Sequence, residues 1–205
     1  VATRRQFLRA GGWTLAGLAA AGVGPRLAGA GLGSLSVAGA GLGSLPLEGA
    51  GRVVEIRMRS DARGSRVWFD PVGVRLDSGT IVRWVLEANV HSTTAYHPEN
   101  GGWARRIPAA AEPWDSGILT EPGQTFERRL DVPGVYDYFC IPHEMAGMVG
   151  RIVVRLPGAS GVGFDEPEAP GAELRPPSAA ALAALPSIES ILRSGSVRLA
   201  APRGA

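Results

Sequence analysis

Four side chains with soft or borderline lone pairs fall within nine positions of one another: Cys140, His143, Met145 and Met148, in the run VYDYFCIPHEMAGMVG from Val135 to Gly150. A thiolate, an imidazole and a thioether suit copper, zinc or iron–sulfur chemistry better than calcium or magnesium, which prefer oxygen donors. Taken singly, these residues have a plainer use: a lone Cys commonly serves as a small buried hydrophobe, and Met fills gaps in cores. Cys140 is the only cysteine, so the chain forms no intramolecular disulfide. It also lacks the thiolates for a four-Cys zinc site, an ordinary iron–sulfur cluster or a copper pair bridged by two cysteines.

A further donor lies 49 residues upstream, at His91 in Asn89-Val90-His91-Ser92. Two imidazoles and one thiolate in a trigonal set, with a distant thioether on the axis, make the electron-transfer copper arrangement. The spacing Cys140-x-x-His143-x-x-x-x-Met148 lets one tight loop deliver three donors. His97, in Thr94-Ala95-Tyr96-His97-Pro98, shares strand parity with His91. It is expected first as an exposed loop residue, ahead of a role behind the ligands or at a second site.

The elements that must hold these donors are short and alternating. Val54, Ile56 and Met58 share one strand face; Val82, Trp84 and Leu86, and Ile152, Val154 and Leu156, do the same. Asp77-Ser78-Gly79, Glu121-Pro122-Gly123 and Val132-Pro133-Gly134 are turn signals, the two Pro-Gly pairs fitting the middle of type II turns. Such spacing argues for an antiparallel sandwich or barrel over residues 52–157, long enough for one independent core.

The flanks differ in texture. Thr3-Arg4-Arg5-Gln6-Phe7-Leu8 matches a twin-arginine export pattern, and the apolar run 11–24 that follows is too short for a confident membrane span. Residues 1–30 are therefore expected to be an export signal, giving a periplasmic protein or one on the outer face of the cytoplasmic membrane. An uncleaved N-terminal segment would tether it there. Residues 31–51 read as a Gly/Ala/Ser-rich spacer containing the second copy of AGAGLGSL. Residues 158–177 read as a Pro/Gly-rich linker. Residues 178–205 form a helical or disordered tail, with Ser178 and Pro186 bounding one short helix and Gly195 ending another. Whether that tail docks is left open. Residues 52–157 carry 13 Arg against 13 Asp and Glu, so no excess positive surface invites nucleic acid.

The stretch Tyr136-x-Tyr138-Phe139-Cys140-x-Pro142-His143-x-x-Ala146-Gly147-Met148-x-Gly150, with Val90-His91-Ser92 upstream, resembles the cupredoxins of the plastocyanin, pseudoazurin and halocyanin group. The resemblance covers residues 52–157. It implies an all-β fold, a cupredoxin-like Greek-key β-sandwich of eight strands with Gly-rich N-terminal and Pro-rich C-terminal extensions. It further implies one mononuclear type 1 copper, Cu(I)/Cu(II), with His91, Cys140 and His143 as equatorial ligands and Met148 as the weak axial one. Met145 competes for the axis, but the family places its Met at position 148. Ser92 stands where many members have an Asn that bonds towards the cysteine loop. The implied function is a monomeric electron carrier, not an enzyme, serving transient protein partners of cytochrome or oxidase type. The alternative is a copper-binding or delivery module using the same ligands without electron shuttling. Pro142, Met145, Ala146 and Gly147 are expected to frame His143 with an apolar patch, Glu144 to add a charge there, and the long 99–113 loop to shape partner recognition.

Overall fold

The computed structural model describes residues 51–159 and 174–200. The expected export signal, the spacer up to Ala50 and residues 160–173 of the expected linker lie outside the described residues, as do the last five.

Among the described residues the strands are β1 (Val53–Ser60), β2 (Val67–Asp70), β3 (Gly73–Asp77), β4 (Thr80–Leu86), β5 (Thr94–Ala95), β6 (Thr125–Leu130), β7 (Gly134–Phe139) and β8 (Val149–Arg155). Two short helices, α1 (Ala179–Ala184) and α2 (Ile188–Ser194), precede β9 (Ser196–Val197). One sheet runs β2-β1-β4-β6, the other β5-β7-β8-β3-β9, and the two face each other as a Greek-key sandwich. The sheets are mixed, not antiparallel as the short alternating strands suggest. β1 and β4 pair in parallel, as do β3 and β8, because each pair is joined by a crossover instead of a hairpin.

Period-two alternation builds the core. In β4, Thr80, Val82, Trp84 and Leu86 point inward while Ile81, Arg83 and Val85 are half-buried. Ile56 and Met58 of β1 stand beside them in the same sheet, and Ile152 and Val154 of β8 meet them across the sandwich. Leu156 lies just past β8 and is exposed, so the expected third inward position of that strand is lost. Of the two Pro-Gly turns, Glu121–Gln124 closes as expected, with Gln124 N–H donating to Glu121 O and Gly123 at φ 89°. Gly134 instead opens β7 at φ 146°, with the Pro108 ring packed where a Cβ would stand.

β7 is buried at every position, on both faces. Tyr136 and Tyr138 enter the main core, whereas Phe139 joins Tyr96, Trp103, Val149 and Ala181 in a second apolar cluster on the outer side. The tail supplies that cover: it docks. Ser178 and Ser187 cap α1 and α2 through their hydroxyls, Gly195 ends α2 at φ 75°, and β9 adds to the edge of β3. The 99–113 loop is part of the same layer. Ala104 N–H donates to Arg175 O, Arg175 N–H donates to Gly102 O, and the Arg175 guanidinium lies 3.7 Å over the Trp103 ring.

Opposite Tyr138 in the β7–β8 ladder stands Gly150, and a Cβ there would run into the Tyr138 ring. Gly150→Ala is therefore expected to destabilise the protein by about 1–3 kcal/mol, the usual cost of overpacking a filled core. Urea titration checks this: the midpoint falls while the m-value holds.

Candidate metal centre

Two segments meet at one end of the sandwich. The first runs from β4 through His91 to β5 and is pinned by the strand-like stretch 114–119. His91 and Leu119 exchange both backbone hydrogen bonds, Ala95 N–H donates to Trp114 O, and Trp114 Nε1 donates to Thr93 Oγ1. The second leaves β7 at Cys140, makes the 3-10 turn Ile141–Ala146 and re-enters β8 through Met148. Pro142 suits the start of that turn, and Gly147, at φ 77°, closes it. Cys140 N–H donates to Met148 O at 3.0 Å, and Met148 N–H to His143 O at 3.1 Å. The turn is thereby held at both ends.

This brings three donor atoms together. His91 Nδ1 lies 3.2 Å from His143 Nδ1, and Cys140 Sγ lies 3.6 Å from the first and 3.4 Å from the second. Among the described residues these three form the one cluster of metal-binding type. The edges of that triangle suit one ion at ordinary metal–nitrogen and metal–sulfur lengths of about 2.0–2.3 Å. His91 and Cys140 are fully buried, while His143 is half-exposed.

The electrostatics suit a soft cation. Burial, with the charge of His143 beside it, pulls His91 down to about 4, and burial lowers His143 as well. Both imidazoles are thus neutral near pH 7, the form that offers a lone pair. Burial pushes the Cys140 thiol up to about 11, against hydrogen bonds from Ser92 and His143 that pull it down. A buried sulfur of this kind becomes a thiolate when a cation stands against it. The other ring nitrogen of His91, Nε2, is buried with no hydrogen-bond partner among the described residues. The donor set, two neutral imidazoles and one buried sulfur, therefore fits copper.

Ser92 joins the two segments. Its N–H donates to Cys140 Sγ at 3.3 Å, and its hydroxyl accepts from Ile141 N–H at 2.7 Å. The shorter side chain thus makes the bond towards the cysteine loop that the resemblance assigns to Asn. Of the methionines, Met148 is fully buried in the cluster that holds Cys140, and Met145 is 71% exposed.

Two expectations are corrected. His97 is buried, not exposed: its Nδ1 accepts from Glu99 N–H at the start of a 3-10 turn, and it stands outside the donor cluster. Burial, and then the charge of Arg105, lower its pKa. Glu144 adds no surface charge beside His143 but turns inward, and is buried. Its Oε1 accepts from Tyr96 O–H at 2.9 Å and from Ser178 N–H at 2.8 Å. Glu144 and Tyr96 carry no local sequence signal for this, because the third partner lies 34 residues further on.

A model of copper-binding proteins of the plastocyanin/azurin family matches residues 56–155. The plastocyanin of Synechococcus sp. (strain JA-2-3B'a(2-13)) is 35% identical over 101 residues, covering 48% of this chain and 71% of the relative. The plastocyanin of Scenedesmus fuscus is 29% identical over 101 residues, 49% of this chain and the whole of the relative. The solved pseudoazurin of Methylobacterium extorquens AM1 aligns at 29% identity with a TM-score of 0.39, covering 51% of this chain and 78% of that one. The matched span runs from β1 to the end of β8 and so contains both segments that carry the donors. By that match and by its sandwich fold, the chain is a cupredoxin, a member of the plastocyanin/azurin family of copper-binding proteins, and copper is its cofactor.

Proposed function

We propose that this protein carries single electrons between extracytoplasmic redox proteins, with one type 1 copper held by His91, Cys140 and His143 and by Met148 as the weak axial donor. The convergence of the three donor atoms on one point carries this reading. Copper, when bound, supplies a centre that takes up and releases one electron. The protein does the rest. Cys140 and His91 are shut away from water, and the Ser92 N–H bond to the sulfur withdraws charge from it, which tunes the potential. The two hydrogen-bonded ends of the 140–148 turn hold the donors in place, so little needs to rearrange when the charge changes. His143 alone of the three reaches the surface, and exposed Ile141, Pro142, Met145 and Ala146 surround it with apolar contact area suited to brief docking.

A delivery module would need to pass its metal to another thiol, and the buried position of Cys140 behind Ser92 favours the carrier over that alternative. Export rests on the twin-arginine pattern at Arg4-Arg5. The partners proposed are proteins of cytochrome or oxidase type, met one at a time by a monomer that has no substrate of its own.

The test is to load the purified full chain with Cu(II) and record visible and EPR spectra. An intense thiolate-to-copper band with narrow hyperfine splitting, cycling reversibly by one electron, is expected. A colourless protein that takes up zinc alone would sink the proposal.

A further inference from the structure

The carboxyl of Glu144 belongs to no part of the donor set, yet it is buried one residue from His143. One oxygen, Oε1, collects two donors from distant parts of the chain: the Tyr96 hydroxyl and the backbone N–H of Ser178, the residue that caps α1. The Ser178 hydroxyl also reaches Glu144 O at 3.4 Å. Three residues along, Gly147 is backed by α1 itself. A Cβ there would stand 3.2 Å from Ala180 O and 3.3 Å from the Ala184 methyl. The helix therefore lies flat against the turn that carries His143 and leads into Met148.

The other donor to Glu144 is equally well fixed. Tyr96 is fully buried, its ring 4.5 Å from Phe139 and 5.3 Å from Trp103 between centroids. Trp103 is in turn held by the backbone bonds and the guanidinium of Arg175, just upstream of α1. Both donors thus come from the outer layer that the 99–113 loop and the 174–185 segment build together. Nothing in the loop spacing of Cys140, His143 and Met148 requires this layer.

We infer that Glu144 is a positioning residue: through Tyr96 and Ser178, the C-terminal segment clamps the 143–148 arc into its ligand-holding shape before any metal binds. The inference rests on the ligand assignment proposed above only for its consequence at copper. A loop already in place limits how far the ligands move on loading or on electron transfer, as a supporting shell does at other metal sites. The bond partners of the arc show where a released clamp would open it. Gly147 N–H donates to Glu144 O and Met148 N–H donates to His143 O, so both amides depend on the turn staying closed.

The experiment compares the full chain with Glu144→Ala and Glu144→Gln, first without metal by amide hydrogen exchange, then loaded with Cu(II) by EPR. In the metal-free protein, Glu144→Ala is expected to speed exchange at Gly147 and Met148 roughly tenfold or more, from the loss of two hydrogen bonds to a buried group. The Trp84 amide in β4 should be unchanged. Glu144→Gln keeps an oxygen in the same place and should stay near the wild type. Loaded with Cu(II), Glu144→Ala should change the hyperfine splitting, and Glu144→Gln should restore it. Should Glu144→Ala fail to fold, Tyr96→Phe removes one donor with the ring kept, and a smaller rise at the same two amides is expected. The inference is overturned if exchange at 147 and 148 does not rise, if Trp84 rises equally, or if Gln behaves as Ala. Because exchange is read without metal, a wild type lacking a type 1 spectrum would overturn the electron-carrier reading and leave this result standing on its own.

Discussion

Cys140→Ser is expected to abolish the intense visible band and the narrow copper hyperfine splitting completely, whereas His97→Ala leaves both in place. The sulfur is one corner of the donor triangle, 3.6 and 3.4 Å from the two Nδ1 atoms, and is the only soft anionic donor the chain can supply there. A serine hydroxyl is harder, stays neutral far above pH 7, and has no sulfur electrons to give a low-energy charge-transfer band. The substitution also takes from the buried Ser92 N–H its sulfur acceptor. Copper affinity should fall with the colour, because the remaining imidazoles carry no charge to offset the ion's desolvation. His97 is the matched control. It is the third histidine, it is buried, and its Nδ1 is spent on Glu99 N–H, away from the donor cluster. A His97→Ala variant that bleaches would show that the assignment of His91 and His143 is wrong. A coloured Cys140→Ser would remove the type 1 reading.

What the sequence makes legible here is whatever repeats at short range or is forced by donor chemistry. The alternation of Val82, Trp84 and Leu86 reads directly as one buried face, since a strand's period is two regardless of its partner. Cys140, His143 and Met148 read as one donor loop because their spacing lets a single tight turn deliver all three, and the resemblance then names them as ligands. The pairing of β1 with β4 and of β3 with β8 is not legible in this way: alternation says which side chains face inward and nothing about the direction of the neighbouring strand. Glu144 shows the same limit at the site. A carboxyl beside an exposed turn reads as solvated, and only the arrival of Ser178 and Tyr96 makes its burial tolerable. The tail shows it again. Helices of six and seven residues are too short to be stable alone, so they depend on docking: Gly147 lets α1 lie close against the turn, and Gly73 lets Pro186 and Ile191 of the α2 segment sit directly on β3.

The largest stability loss is expected from Asp137→Ala. Asp137 sits in the middle of β7 with its side chain fully enclosed, on the face that looks towards the outer layer and away from the main core. Arg106 reaches its Oδ2 from the 99–113 loop at 2.8 Å, and Arg151 reaches both oxygens from β8 at 2.7 and 2.9 Å. The two arginine side chains are themselves only 14% and 12% exposed, so solvent screens the group weakly. Replacing such a group whole by well-packed apolar side chains can be neutral, because burying the charges is costly in the first place. Removing the carboxylate alone is different: the two guanidinium groups stay where the backbone puts them and lose their shared counter-charge. About 3–5 kcal/mol is the usual cost of breaking a buried pair in this way. Against a typical domain stability of roughly 5–15 kcal/mol, that is a large share. The effect should also spread outward. Arg151 Nη1 donates to Pro186 O at the start of α2, so the same guanidinium ties β7 to the docked tail. Urea unfolding of the full chain, followed by tryptophan fluorescence, is the measurement. The midpoint for Asp137→Ala should fall steeply, while copper-loaded protein that remains folded keeps its wild-type spectrum, because Asp137 lies outside the donor cluster. A loss below about 1 kcal/mol, the range of an exposed ion pair, would mean that the outer layer holds without this carboxylate.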